Sequence, residues 1–139
     1  MKSLDKNERT LLADSFLLLA QAVGTFRIEN YSKLTPKMKF RIREYHKCLI
    51  DYADTFYASS TSFIVKDTST SIASIRKIAA DMESYLHRVK NIQKIINTIG
   101  AATRLGASIV SKQPFAITSS LTELISSFEK LKSKTNKKN

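Results

Sequence analysis

One cysteine, two histidines, three glycines and two prolines are all that 139 residues hold of the types that build disulfides, metal sites and tight turns. A lone Cys48 has no partner for an internal disulfide, excludes zinc fingers by count and suits a reducing compartment. His46 and Cys48 stand two apart, so on a helix they point about 200° away from each other and cannot act as nucleophile and base. Cys48 therefore reads as a small residue at a core edge. Neither histidine lies in the Glu-x-x-His arrangement of di-iron bundles. Glu83 and His87, four apart, read as a surface pair rather than metal ligands, and Asp51 and Asp54 as a solvated face. Gly24, Gly100 and Gly106 fit neither a phosphate loop nor a dinucleotide fingerprint. With no catalytic, cofactor-binding or metal-binding constellation, the chain reads as a protein that is not an enzyme.

The scarcity of turn formers also disfavours a many-stranded sheet and favours long helices. What is present agrees with this. Asp5 and Glu8 have the spacing of a capping box, and Leu12, Phe16, Leu19, Val23 and Phe26 keep the four-three spacing of one helix face, predicting a helix at Lys6–Glu29. Thr35-Pro36 marks the next start, with Met38, Ile42, Tyr45, Leu49, Tyr52, Phe56 and Phe63 in register and Ser59 to Ser62 ending or kinking the helix near Ala58. A third helix is predicted from Ile72 to Ile99 and beyond. Ile72, Ile75, Ala79, Met82, Leu86 and Val89 form one row, and Ile78, Tyr85, Ile92 and Ile99 a second beside it, so the helix needs at least two partners. A kink or break is expected near Gly100 or Gly106. Pro114 opens a fourth helix with Ile117, Leu121, Leu124, Ile125, Phe128 and Leu131. The expected fold is all-α, an antiparallel up-down bundle of about four helices over residues 1–133, followed by a disordered basic tail at 134–139.

Acidic residues are scarce: 12 against 23 basic ones leave a net charge of +11. Such a surplus attracts polyanions. Lys37, Lys39, Arg41, Arg43 and Lys47 stand against Glu44 alone, with Phe40 among them, and Arg88, Lys90 and Lys94 follow in helix 3. Together with the lysine tail they are the candidates for contact with nucleic acid. The bland reading has basic stems covering apolar surface while Phe40 packs on a neighbour. A second surface is suggested by Phe40, Ile50 and Tyr57, which project from helix 2 away from its core stripe near Arg43 and Lys47. Ala102 and Gly106 add small residues that permit close helix approach.

The leading expectation is a non-catalytic interaction module that self-associates as a homo-oligomer or binds a protein partner through those residues. The alternative is nucleic-acid binding through the basic helices, and a third is reversible attachment to anionic membranes with Ile95–Val110 inserting shallowly. The compartment is expected to be cytoplasmic. An exported form would follow if Leu11–Ala22 served as a signal peptide, a reading that Asp14 within the apolar run opposes.

Overall fold

The computed structural model describes residues 2–58, 64–65, 68–88 and 90–137, and they form an all-α fold. Helix α1 (Lys6–Glu29) opens on a complete capping box. The Asp5 carboxylate accepts the Glu8 N–H at 2.8 Å, and the Glu8 carboxylate accepts the Asp5 N–H at 3.0 Å. A single 3₁₀ turn (Tyr31–Lys33) leads to α2 (Pro36–Ala58), whose first turn is capped by the Thr35 hydroxyl accepting the Met38 N–H at 3.1 Å. The two helices form an antiparallel hairpin. Phe16 meets Phe56 and Tyr52 edge to face at 5.5 and 6.2 Å between centroids, while Gly24, further along α1, lies beside His46, further back along α2.

Helix α3 (Thr68–Leu86) buries Ile72, Ile75, Ile78, Ala79, Met82 and Leu86. It runs parallel to α1, because its two ends are tied to the two ends of that helix. Lys2–Ser3 pairs antiparallel with Ile64–Val65 in a two-rung ladder at one end, and Glu29 meets His87 at 2.8 Å at the other. Helix α4 (Ile92–Val110) then descends beside α2, with Gly100 against Tyr45 and Gly106 against Tyr52. After a tight turn at Lys112, whose backbone is left-handed (φ 57°), α5 (Pro114–Lys137) returns antiparallel along α4. The Arg104 guanidinium donates to the Glu123 carboxylate at 3.1 and 2.7 Å, and Ser108 and Ser120 share a hydrogen bond at 3.0 Å. Packing closes into a ring: α1 on α2 and α3, α4 on α2 and α5, and α5 on α3.

Three expectations need correction. The described residues make five helices rather than about four, and the long third segment is two of them, one ending at Leu86 and the next starting at Ile92, with no break at Gly100 or Gly106. Asn91 supplies the reason, since its side-chain oxygen accepts the Lys94 N–H at 3.1 Å and starts a new helix. α4 passes through both glycines without interruption, because there the missing side chains serve packing against Tyr45, Tyr52 and Phe16. Direction reverses at each helix, but the neighbours differ from those of a simple bundle, since the parallel pairs α1 with α3 and α2 with α4 pack against each other. α5 continues to Lys137, four residues into the stretch read as a tail. Phe63, the Ser59 to Ser62 cluster and Val89 lie outside the described residues.

Candidate polyanion interface

The parallel pairing of α1 and α3 decides where the positive charge goes. α1 ends, and α2 begins, at the same pole of the bundle where α3 ends and α4 begins, with the Glu29–His87 contact between them. Residues 27–47 and 87–94, far apart in sequence, are thereby brought together. They carry Arg27, Lys33, Lys37, Lys39, Arg41, Arg43, Lys47, Arg88, Lys90 and Lys94 against the carboxylates of Glu29 and Glu44, the latter 3.9 Å from Arg43. Most of the net +11 therefore sits at one end.

Aromatic and aliphatic side chains stand among these cations. Tyr31 is 50% exposed, Phe40 58% and Ile28, one helical turn before Tyr31, 80%. The Lys39 ammonium lies 4.0 Å from the centre of the Tyr31 ring, the Arg43 guanidinium 5.4 Å from that of Phe40, and the Arg88 guanidinium 4.5 Å from that of Tyr85. All three fall within cation–π range. Lys37, Arg41, Lys47 and Lys90 are exposed, and Lys94 is half-buried. Behind the pole, His46 packs against Gly24 and is held below its ordinary 6.5, first by burial and second by the nearby charge of Arg27.

The residues proposed for partner contact divide. Phe40, Arg43 and Lys47 belong to the basic pole. Ile50 is half-buried against the core, and Tyr57 is 44% exposed further down α2, donating its hydroxyl to the Asp14 carboxylate. That bond is the main reason the Tyr57 phenol is pushed up to about 12. Ala102 and Gly106 do not belong to an external surface. Both are buried, and a Cβ on Gly106 would run into the Tyr52 ring and lie 3.0 Å from Phe16. The membrane-insertion role for Ile95–Val110 meets the same correction, since Ile95, Ile96, Ile99, Leu105 and Ile109 all lie in the interior. His87 pairs with Glu29 of α1 rather than with Glu83.

Three contributors escaped the reading of the sequence. Arg27 and Ile28 sit on the last turn of α1, and Tyr31 sits in the connection, a position that periodicity does not mark. Among the described residues, α1 alone is long and apolar enough to cross a membrane by length and composition. A signal sequence and a core helix both pass that test, and here Leu12, Phe16, Leu19, Val23 and Phe26 are buried in the bundle. Among the described residues no three His, Cys, Asp or Glu side chains converge as metal ligands. No family model matches the chain, and no characterised protein or solved structure matches it either.

Proposed function

We propose that the chain is a non-catalytic nucleic-acid-binding module that holds the phosphate backbone on its basic pole. The observation that supports this reading is the gathering of residues 27–47 and 87–94 at one end, ten cations against Glu29 and Glu44, around the half-exposed rings of Tyr31 and Phe40. Charge also argues against the pole as a surface for self-association. Two copies meeting there would face like charges at short range, whereas a polyanion is attracted over about 8–10 Å and releases its condensed counterions on binding. The test is retention of labelled oligonucleotides at two salt concentrations. Binding should weaken steeply with salt, and replacing Lys37, Arg41 and Lys90 by Gln should flatten the dependence by roughly one phosphate contact per side chain. Absence of retention at low salt defeats the proposal.

A protein partner remains the second reading, favoured by a different place. Leu17, 37% exposed, and Tyr57 lie on the α1–α2 hairpin away from the basic pole. Sedimentation that shows a concentration-dependent dimer, abolished by Leu17→Asp, would support it, and a monomer at all concentrations would remove its self-associating form.

A further inference from the structure

Resting on the nucleic-acid reading, we infer that the ligand of the basic pole is single-stranded, and that Tyr31 and Phe40 are stacking platforms for its unpaired bases. Lysines and arginines alone would hold duplex and single strand alike, because both present phosphates. Exposed ring faces are useful only to a base whose own face is open. At this pole a cation lies over one face of each exposed ring, so the opposite face is the one that would receive a base. Lys39 stands 4.0 Å from the centre of the Tyr31 ring, and Arg43 stands 5.4 Å from that of Phe40. A base laid on the opposite face leaves the ring between it and the cation, and its phosphate can reach round the exposed ring edge to that cation, so stacking and charge neutralisation act on the same nucleotide. The two units lie on either side of the Thr35-Pro36 helix start, Tyr31 in the 3₁₀ turn before it and Phe40 in the second turn of α2. The rings do not serve the fold, since half or more of each is exposed.

Fluorescence anisotropy on the full chain tests this with a labelled oligothymidine of roughly 16 nucleotides, a duplex of equal length, and phosphatidylserine-containing vesicles as competitor. The single strand should bind at least about tenfold more tightly than the duplex. Tyr31→Ala and Phe40→Ala should each weaken the single strand by about tenfold while leaving duplex binding and the salt dependence unchanged. Phe40→Trp should retain the affinity, which separates a stacking role from a merely structural one, and circular dichroism confirms that each variant is folded. Equal affinity for the two probes, or alanine variants that bind the single strand as well as the parent does, overturns the inference while the nucleic-acid reading stands. Vesicle binding without oligonucleotide binding, or no binding to either probe at low salt, overturns both.

Discussion

Gly106 shows what one absent side chain contributes. It lets α4 approach α2 and α1 so closely that a Cβ would collide with the Tyr52 ring. Gly106→Ala should therefore lower stability in urea by about 1–2 kcal/mol, because overpacking outweighs the helix-propensity gain of roughly 1 kcal/mol. In a Tyr52→Ala background that cost should disappear, which a double-mutant cycle would reveal. Gly24→Ala makes a useful contrast, since its Cβ would meet only the edge of His46 at 3.1 Å, and that ring is half-buried with room to tilt. That variant should be close to neutral. His46 itself carries a pH dependence. Burial and Arg27 depress its folded pKa below 6.5, so the unfolded chain takes up the proton first as the solution is acidified. The associated stability is complete above 6.5 and lost as pH falls through the depressed value. Urea midpoints followed from about pH 7 to about pH 5 should fall more steeply for the parent than for His46→Gln, and parallel curves would contradict this.

At the scale of elements, the helix starts could be read directly from the sequence and the interior of the third segment could not. Asp5 with Glu8, Thr35 with Pro36, and Pro114 are local signals that need only their own first turn, and each stands where it was expected. Asn91 is a signal of the same kind. The rows of Ile78, Tyr85, Ile92 and Ile99 keep a seven-residue spacing across it, and a period that spans a turn looks like a continuous helix. The glycines misled in the opposite direction, since a helix interior tolerates Gly where neighbouring rings pack onto it. Asn91→Ala should cost about 1 kcal/mol and loosen the first turn of α4, seen as faster amide exchange near Lys94. Unchanged exchange there would mean that packing of Ile95 and Ile96 holds the turn without its cap.

For the molecule as a whole, the decisive step is that α1 and α3, which run the same way, pack as neighbours. Reversal at each helix brings the ends of α1 and α3 to one pole, and their packing as neighbours sets residue 88 near residue 28. Here the ladder at one end and the Glu29–His87 pair at the other fix the parallel arrangement, and the chain's positive charge collects at a pole. The helical class, the three helix starts and most of the core stripes were contained in the sequence, because capping and apolar periodicity are local and act within a few turns. The tertiary structure alone decided that Ala102 and Gly106 face inward, that two distant basic stretches form one surface, and that Tyr31 stands open among them. Those outcomes depend on which helix ends meet, a choice made by packing between segments that no spacing within a segment encodes.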